Sequence, residues 1–501
     1  MAENQYKWRG GFCMEVNALP NIIVIFGASG DLAGRKLLPA LFHLAKRGLL
    51  HERSRIIGCA RTVMNDDEYR NYLSEKWFSG LSSSDKKLLP DFLSRVFYLD
   101  GEYNEEQFYC KMESRIRELE SGLNPMISGR MYYLAVPTLL CKIIISNMHG
   151  AGLLDESPDG APWRRLILEK PFGRDDSSAA ELDFFLHQYM KESQIYRIDH
   201  YLGKETVQNI MVLRFANIIF EPVWNSKYVD YVQITAAEQV GVEHRAGYFD
   251  KTGLLRDMFQ NHILEMLSLV AMEIPSGSDA EAIRNEKLKL LKCIRPIKPE
   301  DVVRGQYSTY RSEPGIAPDS VTETYVAMKL YIDNQRWNGV PFYLRSGKKL
   351  PGKQSSISIH FKPVPHSVFF PVRVEDLTPN VLTMNVQPEE GLSLTIQAKH
   401  PGPKLCLGAL NMDFHYSSIL EKGETIPDSY ERLLLDCMLG DQTLFIRGDT
   451  ILQSWKLLTP LLELWNDHSG DFPLYPYSEG TWGPKESNLL LKDKKAVWLN
   501  F

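Results

Sequence analysis

Within the run Tyr196-Arg-Ile-Asp-His-Tyr-Leu-Gly-Lys-Glu205 this chain places an acid, an imidazole, a phenol and an ammonium close together. His200 and Lys204 stand four residues apart and share a face if a helix begins here, a pairing suited to a phosphate dianion. Asp199 can hold an imidazole. Together these groups suit a phosphorylated small molecule. Taken alone, the segment is equally consistent with a helix start that carries ordinary surface charges and a core-edge histidine.

A second polar set lies at 247–265, where Asp257, Asn261 and His262 interrupt an apolar helical pattern of Met258, Phe259, Ile263 and Leu264. A histidine in such company is commonly a satisfied core-edge residue. A partner changes that reading, and Asp199 is available. A carboxylate that fixes the imidazole tautomer leaves the other ring nitrogen free as a base near neutral pH. Two further clusters are Glu238, near the end of an alternating strand, and Arg345-Ser-Gly-Lys-Lys-Leu-Pro-Gly-Lys353, a Gly-rich basic loop. Their plain readings are a sheet-edge charge and a solvated turn. Convergence on one sugar phosphate would employ both.

These side chains need a scaffold. Asn21-Ile-Ile-Val-Ile-Phe26 is a continuous β-branched apolar run, as in a strand buried on both faces of a parallel sheet. Gly27-Ala-Ser-Gly30-Asp31 stops it, and Leu37, Leu41 and Leu44 then recur at helical spacing up to a C-terminal cap at Gly48. A strand-to-helix turn that offers backbone N–H groups to a diphosphate must keep Cβ atoms out of the way. The pattern here is Gly-x-x-Gly-x-x-Ala. A second strand, 55–60, ends at Arg61, where an NAD-preferring fold usually carries an acid; an arginine suits a 2′-phosphate, hence NADP. Later parallel strands at 130–136 and 165–169 end in loops, the second in Lys170-Pro171-Phe-Gly173. A lysine there can bridge cofactor and substrate. Leu182, Phe185, Leu186 and Tyr189 form a core-facing helical stripe, and the first domain closes near Ile198.

Beyond it, period-two runs at 229–240, 322–332, 356–361, 380–386 and 392–398 predict half-exposed antiparallel strands, with helices over 253–273, 279–291 and 427–439. The expectation is an α/β Rossmann-like N-terminal domain plus an α+β C-terminal domain with a large, mainly antiparallel sheet. The length of 501 residues suits two domains. A net charge of -6 without a basic block argues against nucleic-acid binding. The seven cysteines stand singly, without metal-site or disulfide spacing, which fits a reducing compartment. No secretory h-region and no run of membrane-spanning length is seen. The expectation is therefore a cytoplasmic protein with no membrane partner.

Gly-Ala-Ser-Gly-Asp-Leu-Ala, Glu-Lys-Pro-Phe-Gly, Arg-Ile-Asp-His-Tyr-Leu-Gly-Lys-Glu and Arg-Asp-Met-Phe-Gln-Asn-His, in this order from about residue 20 onward, resemble glucose-6-phosphate dehydrogenases, of the bacterial type. The resemblance implies an N-terminal extension at 1–19, an NADP-binding Rossmann-like domain at 20–198, and a substrate-binding and dimerisation domain at 199–501. It implies His262 as general base and Asp199 as its dyad partner. His200, Tyr201 and Lys204 fall on phosphate-binding positions, Glu238 and Asp257 on sugar-hydroxyl positions, and Lys348, Lys353 and Gln387 on substrate-contacting positions. On the cofactor side the match covers Gly27, Ala28, Ser29, Gly30, Asp31, Leu32, Ala33, Gly34, Arg61 and Lys170, the last touching both ligands. The implied reaction is oxidation of glucose 6-phosphate at C1 to the lactone with formation of NADPH and without a metal, the first step of the oxidative pentose phosphate pathway. The implied assembly is a homodimer or homotetramer.

The chain also departs from the animal pattern of a second, structural NADP. Only Gln354, Ser358, Asn385, Ser393 and Thr395 match positions of that site, and the run from Tyr477 to Pro484 lacks its arginine, so no second NADP is expected. Pro137-Thr138 replaces a double proline. One rival is the family of oxidoreductases that act on unphosphorylated sugars and carry a Glu-Lys-Pro turn; it leaves His200 and Lys204 unexplained. A catalytically silent NADP sensor is another, and it has no use for a base.

Overall fold

The computed structural model describes residues 16–121, 129–157, 160–420, 426–467, 472–494 and 496–500. Most of the expected N-terminal extension, up to residue 15, lies outside them.

The first half builds strands β1 (Asn21–Phe26), β2 (Arg55–Ala60), β3 (Val96–Asp100), β4 (Gly129–Leu134), β5 (Arg164–Leu168) and β6 (Ile195–Ile198), all parallel. Every residue of β1 and β4 is buried, which is what a continuous apolar run requires in a sheet with helices on both faces. The spatial order is 3-2-1-4-5-6, the arrangement of a dinucleotide-binding sheet, and the order reverses between β1 and β4. A crevice opens there at the carboxyl ends of the strands.

The second half forms β7 (Val229–Ala237), β8 (Val302–Tyr307), β9 (Tyr325–Tyr331), β10 (Pro341–Gly347), β11 (Gln354–Phe361), β12 (Val381–Gln387), β13 (Gly391–Lys399) and β14 (Leu407–His415). Two short strands follow, β15 (Phe445–Ile446) and β16 (Leu474–Tyr477). The large sheet has nine strands in the order β14-β13-β12-β11-β7-β10-β9-β8-β16. Only the β7/β10 and β8/β16 pairs within it are parallel. The mainly antiparallel sheet expected from the period-two runs is present. Strands β8, β10 and β14 escaped that pattern because β8 and β10 are buried along almost their whole length and β14 is exposed along most of its own, so neither kind alternates.

Two local expectations are corrected. Arg345, Ser346 and Gly347 are not loop residues but the buried end of β10, so the basic loop begins only at Lys348. His200 and Lys204 do not share a helical face: the helix starts at Glu205, Lys204 is its N-cap residue, and 200–203 is a run of turns. Asp199 Oδ1 accepts from the Tyr201 N–H at 2.9 Å, an Asx-type contact that competes with helix formation.

The two halves interlock. Strand β15 returns to the first sheet and pairs antiparallel with β6, Phe445 opposite Ile198. The helix Gly448–Asp467 follows it, and Trp455 Nε1 donates to the Phe172 carbonyl at 2.8 Å. The Lys170-Pro171 peptide beside that carbonyl is cis.

Candidate active site

His262 lies in a π-helical stretch, Leu255–Ile263, a widened turn of a kind often found at functional sites. The stretch has a definite start. Gly253 takes φ 72°, and a Cβ there would sit 2.4 Å from a Glu323 carboxylate oxygen, which itself accepts from the Leu255 N–H at 3.0 Å. Glycine thus admits the buried acid that caps the new helix. Asp257, Gln260, Asn261 and His262 are all buried along this stretch, and Asn261 Oδ1 takes the His262 N–H at 2.6 Å.

The imidazole is held from both ends. Asp199, just past the end of β6, places Oδ1 2.5 Å from His262 Nδ1, and Lys170, just past the end of β5, places Nζ 3.0 Å from Nε2. With a carboxylate on one nitrogen and an ammonium on the other, Nδ1 carries the proton and Nε2 presents its lone pair. Burial, then the Lys170 charge, holds the imidazole pKa well below its usual value, so the ring is neutral at pH 7. Tyr201 stacks on the ring at 4.2 Å between centroids, and its hydroxyl is within hydrogen-bonding distance of Ser355 (3.2 Å) and of the Gln387 amide (3.2 Å). Asp199, His200 and His262 bring three donor atoms within 4.8 Å of one another, yet the proton shared with Asp199 and the ammonium at Nε2 already occupy His262.

Around this dyad the expected residues assemble. Lys170 also donates to the Asp257 carbonyl at 2.9 Å, and Lys348 bridges Glu238 at 2.5 Å and Asp257 at 3.9 Å. Burial acts to raise the Asp257 pKa, but Lys170 and Lys348 outweigh it and hold the carboxyl down at about 2. His200 sits edge-on to His262 at 4.8 Å, and burial, then His262, lowers its pKa to about 3. Lys204 is lowered too, by burial first and then, against the raising influence of Glu390, by the nearby ammonium of exposed Lys353. Lys204 and Lys353 form a positive patch beside the dyad, the electrostatic requirement for an anion, and the neutral His200 imidazole adds a hydrogen-bonding group next to it.

The glycine turn after β1 lines a cavity of about 440 Å³ with Ser29, Gly30, Arg61, Thr62, Tyr103 and Val136. Gly27 has φ 80°, and a Cβ on it would meet the Ala135 carbonyl at 2.3 Å, so only glycine lets β1 and β4 end so close together. Arg61 is exposed at the rim and forms no ion pair among the described residues, leaving its guanidinium available to a phosphate. The remaining positions of the turn do other things. Ala28 and Ala33 face the core, Leu32 is packed against it, Asp31 pairs with Arg35 at 2.7 Å on the surface, and a side chain on Gly34 would strike Trp77.

Several groups here carry no local sequence signal. Tyr103, whose hydroxyl accepts from the Gly27 N–H at 2.9 Å, and Ser355, 154 residues from the Tyr201 it touches, come from distant strands and loops. So does the support of Glu169, whose carboxylate accepts from Tyr133 (2.5 Å) and Tyr430 (3.1 Å) just before Lys170.

The chain matches two family profiles end to end, "Glucose-6-phosphate dehydrogenase, NAD binding domain" over residues 24–209 and "Glucose-6-phosphate dehydrogenase, C-terminal domain" over 211–499. It is 42% identical to the glucose-6-phosphate 1-dehydrogenase of Chlamydia pneumoniae, with 98% of each chain covered. Identity to the enzyme of that name from Aggregatibacter actinomycetemcomitans is 43%, over 95% of this chain and 96% of the relative. Among solved structures it resembles a glucose-6-phosphate dehydrogenase in complex with its substrate glucose-6-phosphate, with a TM-score of 0.90 and 35% identity over 97% of this chain and all of the other.

Proposed function

The chain belongs to the glucose-6-phosphate dehydrogenase family, and we propose that it oxidises glucose 6-phosphate at C1 with NADP as the hydride acceptor, using His262 as the base. The observation that supports this reading most directly is the hydrogen-bonded line Lys170–His262–Asp199 set beside the cationic patch of Lys204 and Lys353, with the His200 imidazole next to it. A base and an anion grip at a fixed separation fit a substrate whose phosphate is remote from its reacting carbon.

In this reading His262 Nε2 takes the proton of the C1 hydroxyl, and Nδ1–H stays on Asp199, which stabilises the imidazolium as it forms. The hydroxyl must reach Nε2 where Lys170 Nζ now lies, so substrate binding replaces that contact and leaves the ammonium beside the hydroxyl oxygen. There it offsets the negative charge that develops as the O–H bond breaks. Losing the C1 hydrogen with its electron pair turns C1–OH into the lactone carbonyl, and the nicotinamide supplies the site that accepts this hydride. Glu238 and Asp257 accept from sugar hydroxyls and Lys348 orients them. Gln387 and Tyr201 close the pocket on the side of Ser355. Phosphate contacts far from C1 supply binding energy that serves orientation.

The crevice after β1 fits a dinucleotide. Glycine at position 27 keeps that point of the turn free of a side chain, and the Arg61 guanidinium, without an ion pair among the described residues, suits the 2′-phosphate that distinguishes NADP from NAD. The reading further includes one cofactor per chain, a homodimer or homotetramer formed through the large sheet, and a cytoplasmic protein. Exposed Leu410 and Met412 on β14 favour the assembly, and single cysteines favour the compartment. No helix among the described residues is long and apolar enough to cross a membrane.

NADPH fluorescence tests the activity directly, with glucose 6-phosphate and free glucose compared at equal concentration. Fast turnover of the phosphate ester and slow turnover of glucose are expected; equal rates would remove the phosphate grip from the reading.

A further inference from the structure

Lys349, the neighbour of Lys348, has φ 54°, and among the described residues only Glu243 is another non-glycine at positive φ. An L-residue in this region is strained and persists only where its surroundings over-determine it. The surroundings are specific. Lys348 N–H donates to the Thr324 carbonyl at 2.9 Å, Lys349 N–H to Val240 at 3.2 Å, and Leu350 N–H to Glu238 at 3.0 Å. Both carbonyls of the strained pair are claimed by the last part of the chain: the Tyr477 hydroxyl donates to the Lys348 oxygen at 2.7 Å, and the Gly480 N–H donates to the Lys349 oxygen at 2.8 Å. Thr324 Oγ1, 3.0 Å from the same hydroxyl, completes its hydrogen bonding.

We infer that Tyr477 is a positioning residue for sugar binding: with the Gly480 amide it holds the left-handed turn at Lys349, and that turn aims the Lys348 ammonium at Glu238 and Asp257. The inference rests on the role given above to Lys348. Nothing between Tyr477 and the substrate is touched directly, so the effect must travel through the peptide at 348–349. If the hydroxyl is lost, the turn relaxes towards negative φ, the Lys348 carbonyl rotates, and the ammonium leaves its place between the two carboxylates. The ring of Tyr477 meanwhile packs edge-on against Tyr307 and Tyr325, at 6.3 and 5.7 Å, and phenylalanine keeps that packing.

Four variants of the full-length enzyme test this by steady-state kinetics, with KM read separately for glucose 6-phosphate and NADP. Wild-type turnover judges the activity reading; the ratio of variant to wild type judges the inference. Tyr477→Phe is expected to raise the sugar-phosphate KM about tenfold, the scale of one buried hydrogen bond, with kcat and the NADP KM within about twofold. Lys349→Val keeps Tyr477 but penalises positive φ, and is expected to raise the same KM. Lys349→Asn, which tolerates that φ and lacks the charge, is expected to stay near wild type. Adding Lys349→Gly to Tyr477→Phe is expected to recover most of the lost affinity, because glycine holds the turn without strain. An unchanged KM in Tyr477→Phe, or a rise that Lys349→Gly fails to reverse, overturns the inference.

Discussion

Asp199 Oδ1 lies 2.5 Å from His262 Nδ1, although 63 residues separate the two in the chain. One group closes the last parallel strand of the first half and the other sits on the π-turn of the long helix in the second. The contact therefore spans the junction of the two sheets, and its only free ring nitrogen faces Lys170.

Replacing the base tests the contact first. His262→Asn is expected to lower kcat by about 10² to 10⁴, the usual contribution of a positioned base, with little change in the KM for glucose 6-phosphate. Asp199→Asn is expected to lower kcat as well, since an amide can donate to Nδ1 and favour the wrong tautomer. Near-normal kcat in His262→Asn would assign the proton transfer elsewhere.

Acid inactivation should depend on Lys170. The neutral imidazole is the active form, and burial together with the Lys170 ammonium keeps its pKa well below 6.5, so kcat/KM is expected to hold through mildly acidic pH and fall only below it. Lys170→Met removes the repelling charge, and the His262 pKa rises. The acid limb of the kcat/KM profile should then move to higher pH, beside a loss in absolute rate. A limb that stays in place would mean that Lys170 does not set the charge state of the base.

His200 links stability and ligand binding to pH. Its folded pKa of about 3 lies below its ordinary value of 6.5. The unfolded chain thus binds a proton that the folded chain refuses, and the stabilisation present above about pH 6.5 is lost progressively as pH falls towards 3. The urea midpoint should decline over that window, less steeply in His200→Gln. A bound phosphate dianion would raise the same pKa, so titration calorimetry of glucose 6-phosphate in buffers of different ionisation heat should report proton uptake by the wild type and less by the variant. Identical behaviour of the two proteins in both measurements would contradict this account.

Cofactor choice should rest on Arg61. Arg61→Ala is expected to raise the KM for NADP by about tenfold or more while leaving that for NAD nearly unchanged, since loss of one charge-assisted hydrogen-bond partner costs about 1.5 to 3 kcal/mol. Equal losses for both nucleotides, measured with the same enzyme preparation, would place the 2′-phosphate away from this side chain.

The amino-acid sequence by itself determined the scaffold and the kinds of groups in the site. Continuous apolar runs such as Asn21–Phe26 have only a two-sided burial to satisfy them, and the glycines after β1 answer a local backbone demand, φ 80° at Gly27, that no other residue meets cheaply. Alternation likewise marked β11, β12 and β13. Tertiary structure decided what periodicity cannot carry. Arg345 reads as a loop charge yet lies buried at the end of β10, because Trp482 and Trp498, from the far end of the chain, stack on its guanidinium at 4.7 and 4.6 Å. His200 and Lys204 read as one helical face, but the Asp199 carboxylate caps the intervening turn and starts the helix later. The imidazole pKa belongs wholly to this second kind: His262 and Asp199 can be named from their motifs, whereas the burial and the Lys170 charge that keep the ring neutral exist only once two sheets close around them.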